Sequence, residues 1–273
     1  MSIVTNVTAD HLGLGGIDSL EQMARAKAVI PETTFNHGFA ILNAEDDLVY
    51  AMHEGLTCNV AYFSMDENNP RIQKHCKKGG YAAVYENGYV SILKGTWKIR
   101  VMKVSDIPIT YGGKALHNIM NTLPAMLATY LFKDITIEDI RTALSTFVPS
   151  PSQTPGRLNL FEFKHFKFLV DFAHNPAGLE LLCDFIKKMD GEPKVGITGG
   201  TGDRRDDDIR ELGRISGRSF DEIIIRQDKN LRGRTAEEIV NLLVEGINET
   251  KSTDIPINII YKEKEAIMFA YDN

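Results

Sequence analysis

The chain has 273 residues, with 31 Lys and Arg against 37 Asp and Glu, a formal net charge of −6, and 43% hydrophobic and 25% charged residues. That length holds two domains or one large one, and the balance is that of a globular protein rather than a disordered, collagen-like or disulfide-built one. A mildly acidic chain is also a poor general nucleic-acid binder.

Cys58, Cys76 and Cys183 form no CxxC pair, and apart from the adjacent His75-Cys76 no Cys/His pair has zinc spacing. They read as reduced thiols of a cytosolic protein. No apolar run approaches the ~20 residues of a membrane helix, and Met1 is not followed by a basic region and a long apolar stretch. The expected location is therefore the cytoplasm, with no membrane partner.

Ile3, Val4 and Val7 read as a buried strand over 2–7, followed by the glycine-rich run Gly13-Leu14-Gly15-Gly16. Asp18 with Glu21 three positions on predicts a capped helix start, and Leu20, Met23, Ala24, Ala26 and Val29 share its apolar face. Strands are expected at 38–42 and 58–63 with a short helix between them. Asn87-Gly88 predicts a two-residue hairpin turn, because both residues tolerate positive φ, with arms at 81–85 and 89–93. Helices are expected at 114–132 and 136–146.

Pro149, Pro151 and Pro155, set among Ser150, Ser152, Gln153, Thr154 and Gly156, make the clearest linker signal. The domain boundary is placed there, giving domains 1–149 and 150–273. Strands then alternate with helices: 168–172, 194–198, 223–225 and 257–261 against 176–189, 206–217, 235–247 and 262–272. Such alternation predicts a parallel sheet covered by helices, with ligands at the carboxyl ends of its strands. The chain opens in a strand and closes in a helix with no following glycine. Both features lead us to expect a piece of a longer protein.

Three segments follow those strand ends. Asp171-Phe172-Ala173-His174-Asn175-Pro176 offers groups for a ribose, a phosphate or a metal, with Pro176 suited to a first helical turn; the plainer alternative is N-capping by Asn175. Gly199-Gly200-Thr201-Gly202-Asp203-Arg204-Arg205-Asp206 combines backbone N–H groups with guanidiniums that pair with phosphate or carboxylate; the alternative is a plain turn. Asp228-Lys229-Asn230-Leu231-Arg232-Gly233-Arg234 suits an anionic substrate or is a solvated charged loop. Arg157, in Pro155-Gly156-Arg157, sits where two domains would face each other. Gly112-Gly113-Lys114-Ala115 is not a phosphate-binding GxxxxGK[ST] loop, since Pro108 and Ala115 break the pattern.

Taken together these motifs resemble the Mur ligase superfamily, and within it the Mur-ligase-like half of the cyanophycin synthetase family. The match runs through Thr5-Asn6-Val7-x-x-Asp10-His11-Leu12 with Lys27 downstream, and through Gly113-Lys114-x-x-His117-Asn118-x-x-Asn121. It continues in Pro155-Gly156-Arg157-x-Asn159-Leu160-Phe161 and the three strand-end segments above.

The resemblance implies an α/β fold: a partial Mur ligase central domain with an incomplete P-loop-type sheet, then a Rossmann-like C-terminal domain. It implies ATP-dependent amide ligation with Mg²⁺, in which arginine is added to the β-carboxylate of an aspartate-based polymer through an acyl phosphate. The parent enzyme is expected to be a homo-oligomer that binds no nucleic acid. The family's P-loop and catalytic glutamate would lie before Met1, so this chain alone is expected to be inactive.

By the same resemblance His11 matches a magnesium ligand, and Lys27 a lysine that is carbamylated in many members; a plain surface lysine is its alternative. Asn118 and Asn121 match adenine-side residues. Arg157 matches the arginine on the terminal phosphate, and Asp171 and His174 match groups that meet ribose and phosphates. Arg204, Arg232 and Arg234 are expected at substrate or product carboxylates. Glu45-Asp46-Asp47 departs from the family's usual run after Asn43, and no role is assigned there. Peptidoglycan-type or folylpolyglutamate-type ligation and a non-catalytic nucleotide- or peptide-binding module are the alternatives. A nicotinamide dehydrogenase is disfavoured, since no strand is followed by GxGxxG.

Overall fold

A computed structural model describes residues 1–273 except 11, 14, 133, 252 and 253. The chain divides into two compact units, one of residues 1–9 and 17–153, the other of 10–16 and 154–273. The second unit thus takes in the glycine-rich run at 10–16, which the sequence reading placed in the first domain.

The first unit is built on a six-stranded sheet in the order β1-β2-β3-β4-β5-β6. Strands β1 (Ser2–Val4), β2 (Phe39–Asn43), β3 (Asn59–Ser64) and β4 (Tyr81–Glu86) are parallel, while β5 (Tyr89–Lys94) and β6 (Trp97–Lys103) complete an antiparallel meander. The continuous apolar runs of β2 and β3 are those of strands covered on both faces. Strand β1 lies at the edge of the sheet and ends at Val4 rather than at residue 7.

The turn joining β4 to β5 has φ of 47° at Asn87 and 83° at Gly88, the double positive φ that selects Asn-Gly. Strand β6 was not foreseen, although Trp97, Ile99 and Val101 alternate with Lys98, Arg100 and Met102. Helix α1 (Leu20–Glu32) starts one residue later than the expected cap: Ser19 is the N-cap, and its capping box closes with Gln22 rather than Glu21. The Gln22 side chain accepts from the N–H groups of both Asp18 and Ser19, at 2.6 and 3.3 Å, which settles the register.

Short helices α2 (Asp47–Ala51) and α3 (Pro70–Lys77) follow β2 and β3. Helix α4 (Leu116–Tyr130) lays Ile119, Leu123, Met126 and Leu127 on Ile41, Phe63, Ala83 and Ile92 of the sheet. This is the 3- and 4-residue spacing of a buried helical face. Helix α5 (Ile137–Thr146) adds Ile140 to the same core.

In the second unit β7 (Asn159–Glu162) and β8 (Lys167–Val170) form a two-stranded antiparallel ribbon. The expected parallel strand at 168–172 is therefore the second arm of a hairpin. Its tight connection, with the Phe163 N–H donating to the Phe166 carbonyl at 2.9 Å, brings the chain straight back onto β7, as short connections do. The parallel sheet proper has three strands in the order β11-β10-β9: β9 (Val195–Thr198), β10 (Glu222–Ile225) and β11 (Ile257–Ile259). Helices α6 (Pro176–Lys187), α7 (Asp206–Gly217), α8 (Ala236–Thr250) and α9 (Glu263–Asp272) alternate with the strands. Ile223 and Ile225 of β10 pack with Ile209, Leu212, Ile239 and Leu243. Among the described residues no helix is long and apolar enough to cross a membrane.

A buried carboxylate ties the meander of the first unit together. Glu86, at the end of β4, is 3% exposed. Its Oε1 accepts from Nε of Arg100 on β6 at 2.7 Å and from Oγ of Ser91 on β5 at 3.1 Å, and Lys98 Nζ stands 3.4 Å from Oε2. The Arg100 hydrogen bond outweighs the cost of burial, and with help from Ser91 and Lys98 it lowers the Glu86 pKa from 4.5 to about 2. A depressed acid contributes stability that is present above its unfolded pKa and lost as the folded group protonates. Urea unfolding as a function of pH should therefore show a loss between about pH 4.5 and about pH 2 that Glu86→Gln flattens. The substitution itself should cost about 1–3 kcal/mol at neutral pH, the scale of a charge-assisted hydrogen bond. Parallel curves for the two proteins would assign the acid limb to other groups.

Candidate functional site

In the second unit the loops after β8, β9 and β10 carry Asp171, His174, Arg204, Arg232 and Arg234. Asp171 follows β8. Its Oδ2 accepts from the Leu158 N–H and its Oδ1 from the Ala173 N–H, both at 2.8 Å. Leu158 is buried and takes φ of 46°, which is costly for a branched side chain and persists only where surroundings enforce it. Asn159, also buried, accepts from the Gly156 N–H at 2.8 Å and donates to the Thr154 carbonyl at 2.9 Å. The turn that carries Arg157 is thus bound from both sides. The Arg157 side chain itself is exposed, with its guanidinium carbon 5.0 Å from the centre of the Phe172 ring, a cation–π distance.

His174 Nδ1 lies 3.0 Å from the Phe172 carbonyl oxygen. Asn175 is the N-cap of α6, accepting from the Gly178 N–H at 2.8 Å ahead of Pro176. The capping alternative for Asn175 is therefore observed, and its side-chain nitrogen does a second task by donating to Asp10 Oδ2 at 2.8 Å. His174 Nε2 is 3.7 Å from that same oxygen.

The loops after β9 and β10 interlock. A Cβ on Gly202 would come within 2.0 Å of the Leu231 carbonyl oxygen, so only glycine lets the two backbones approach this closely. Arg234 fastens the contact: its guanidinium donates to the carbonyls of Gly202 and Arg204, each at 2.9 Å, and pairs with Asp206 at 2.7 Å.

Charges alternate across the interlock. Arg232 Nη1 is 2.6 Å from Asp203 Oδ2, Asp203 Oδ1 is 3.4 Å from Arg204 Nη1, and Arg204 Nη2 is 3.3 Å from Asp10 Oδ1. Burial works against the charged form of Asp203, but the Arg232 hydrogen bond and the two guanidinium charges hold its carboxyl below the usual range. The side chain of Arg204 is 6% exposed and that of Arg232 46%. Of the three arginines expected at carboxylates, Arg232 is therefore the accessible one. Arg204 is enclosed between two aspartates, and Arg234 is occupied by the backbone it fastens.

The first unit holds the remaining residues. Asn118 Nδ2 donates to the Ile109 carbonyl at 2.7 Å, which secures the start of α4, and Asn121 is exposed one turn on. Lys27 Nζ donates to the Asn6 carbonyl at 3.0 Å, tying α1 to the segment after β1. His11, the residue matched to a magnesium ligand, lies outside the described residues. Among the described residues no group of three or more His, Cys, Asp or Glu is placed to hold a metal ion. They do not by themselves make a magnesium site.

Asp10 and Asp203 were present in the sequence motifs but carried no assigned role. The adjacency of Asp203 to Arg204 was a readable sign of an ion pair. Nothing local announced that Asp10 would meet residues 164 or more positions away.

The chain thus folds as two α/β units, the second with a guanidinium-rich edge at its parallel strand ends. The description "Mur ligase middle domain" matches residues 1–129, and "Mur ligase, glutamate ligase domain" matches residues 156–272. The chain belongs to the Mur ligase superfamily. Within it, the chain is 47% identical over 272 residues to a cyanophycin synthetase of Synechocystis, and 46% identical over 273 residues to one of Crocosphaera subtropica. Each match covers 100% of this chain and 31% of the relative, so the chain spans about a third of the length of these relatives. A solved folylpolyglutamate synthase of Mycobacterium tuberculosis, complexed with ADP, shares the fold with a TM-score of 0.70 at 18% identity, over 99% of this chain and 55% of that one.

The Asp171 clamp gives a direct test. Asp171→Ala removes the acceptor for two backbone N–H groups, one of them on the strained Leu158. It should cost about 1–3 kcal/mol in urea unfolding and open the chain near 154–158 to limited proteolysis. Wild-type stability and cleavage would show that the turn holds without the carboxylate.

Proposed function

We propose that this chain supplies the substrate-carboxylate and part of the nucleotide machinery of an ATP-dependent amide ligase. In this reading the ligase adds arginine to the β-carboxylate of an aspartate-based polymer. The observation that carries the reading is the Arg232–Asp203–Arg204 array at the strand ends of the second unit. An accessible guanidinium, backed by a second one, recognises a carboxylate by charge and by paired hydrogen bonds. The extensive identity to cyanophycin synthetases supports the choice of substrate over the peptidoglycan-type ligases, of which one from Caldanaerobacter subterraneus is 25% identical.

In the proposed reaction a polymer carboxylate oxygen attacks the terminal phosphorus of ATP, and ADP leaves. The α-amine of arginine then attacks the acyl carbon, phosphate leaves, and the amine gives up a proton. Arg157, exposed and braced by Phe172, is proposed to face the transferred phosphoryl group, where positioning and charge neutralisation do most of the work. His174 is proposed for the nucleotide phosphates. Asp171 keeps lone pairs for a ribose hydroxyl while it holds the turn. Asn118 and Asn121 are proposed for the adenine side. Mg²⁺ is proposed from the family alone and, when bound, neutralises phosphate charge. Lys27 is proposed as the carbamylated lysine: a carbamate keeps one N–H for the Asn6 carbonyl and exchanges a positive charge for a negative one.

No GxxxxGK[ST] run occurs in the 273 residues. The purified chain should therefore release negligible phosphate from ATP in the presence of arginine and a polymer primer. Exchanged for the matching segment of the Synechocystis relative, it should sustain arginine-dependent polymer synthesis. In that chimera Arg157→Ala should lower the turnover rate more than the affinity for ATP, as loss of a transition-state contact requires. Lys27→Ala should lose activity that acetate or formate partly restores. A folded chimera that consumes ATP with no preference for arginine would refute the substrate assignment. Equal losses of rate and affinity in Arg157→Ala would reduce that residue to ground-state binding.

A further inference from the structure

Asp203 occupies the accessible guanidinium of Arg232. Its Oδ2 takes Nη1 of Arg232, the accessible guanidinium, at 2.6 Å. Its other oxygen is poorly used: Oδ1 lies 3.4 Å from Arg204 Nη1 and makes no hydrogen bond. Arg204 Nε and Nη1 are likewise buried without a hydrogen-bond partner. Buried polar atoms left in this state are costly and call for a physical reason.

The backbone around them is firmly held. Arg232 has φ of 49°, a conformation that non-glycine residues seldom take, and its N–H donates to Asn230 Oδ1 at 3.0 Å. Arg234 and the Gly202–Leu231 approach fix the loop that carries Asp203. The freedom that remains lies in the torsions of the Asp203 and Arg232 side chains. Arg204 cannot follow them far, being enclosed and paired through Nη2 with Asp10 at 3.3 Å.

We propose that Asp203 is an internal placeholder for the ligand carboxylate, displaced from Arg232 when that carboxylate binds and received by the unpartnered Nη1 of Arg204. The proposal rests on the reading of Arg232 as a carboxylate-binding residue and adds how the site selects its ligand. Before binding, Arg232 is neutralised by Asp203. Afterwards Arg232 is neutralised by the ligand, and Asp203 by Nη1 of Arg204, which its Oδ1 already faces at 3.4 Å. The number of ion pairs stays the same, with Arg232 changing its partner from Asp203 to the ligand, while Arg204 goes on facing both Asp203 and Asp10. A neutral ligand such as an amide gives Arg232 no counter-charge and leaves Asp203 where it is. The site therefore discriminates against uncharged analogues by internal competition, a form of built-in negative selection.

The test uses the purified 273-residue chain and two probes, acetate and arginine, titrated by calorimetry. Asp203→Asn removes the competing charge and should tighten acetate binding by about 3–10-fold, because the binding-competent state no longer has to be won from a closed one. Arg204→Gln removes the receiving guanidinium charge and should weaken acetate binding relative to wild type. The carboxyl ¹³C resonance of Asp203 in the wild type should move as acetate saturates, a readout that needs no variant to fold. Weaker or unchanged acetate binding in a folded Asp203→Asn protein, a static Asp203 resonance, or no acetate binding in either protein would overturn the proposal. Arginine separates this idea from the broader reading. Tighter acetate binding in Asp203→Asn with no binding of arginine would leave the placeholder standing and count against arginine as the substrate.

Discussion

The second unit depends on one close approach, the backbone of Gly202 against the Leu231 carbonyl. No side chain fits there, since a single Cβ would stand 2.0 Å from the oxygen. Because the loops after β9 and β10 meet at this point, Arg234 can reach two carbonyls of the neighbouring loop, and Asp203 can stand between Arg204 and Arg232. The charged array is thus a consequence of backbone packing. Its guanidiniums are held at the carboxyl ends of parallel strands, where α/β folds place their ligands. Holding them there in advance lowers the ordering cost of binding.

A second constraint works through Asp171. Both its oxygens are given to backbone N–H groups, one on Leu158 in a left-handed conformation and one on Ala173. The effect is to join the turn that carries Arg157 to the loop that carries His174. Two residues matched by resemblance to a nucleotide are in this way mounted on one support within the second unit. Asp10 plays a comparable part further along, receiving Asn175 on one oxygen and Arg204 on the other. A family motif read residue by residue assigns each side chain a ligand. The geometry shows that some of these side chains first serve one another.

Much of the fold was legible because its signals are local. Asn87-Gly88 announced a hairpin through the sign of φ, and the alternation after residue 165 announced the helices that cover the second sheet. The errors have local causes too. The strand ending near Val170 looked like a parallel strand because its apolar content is high, but the short turn at 163–166 paired it with β7. The cap of α1 moved from Asp18 to Ser19 because Gln22, rather than Glu21, closes the box. The site was legible in its residue types and not in its connections. Arg204 and Arg232 look alike in sequence, and only burial separates an enclosed guanidinium from an accessible one. That distinction depends on Asp10, which lies 194 positions before Arg204 and reaches it only through the folded chain.

The central claim is that the interlock of the two loops creates the edge proposed to bind a carboxylate. Calorimetric titration of arginine into the Gly202→Ala protein tests it most directly, because Gly202 has no side chain to offer a ligand. The account predicts that this one methyl group, by parting the loops, abolishes arginine binding as fully as Arg232→Ala does, while the circular dichroism of both proteins stays that of the wild type. Wild-type affinity for arginine in a folded Gly202→Ala protein would contradict the account.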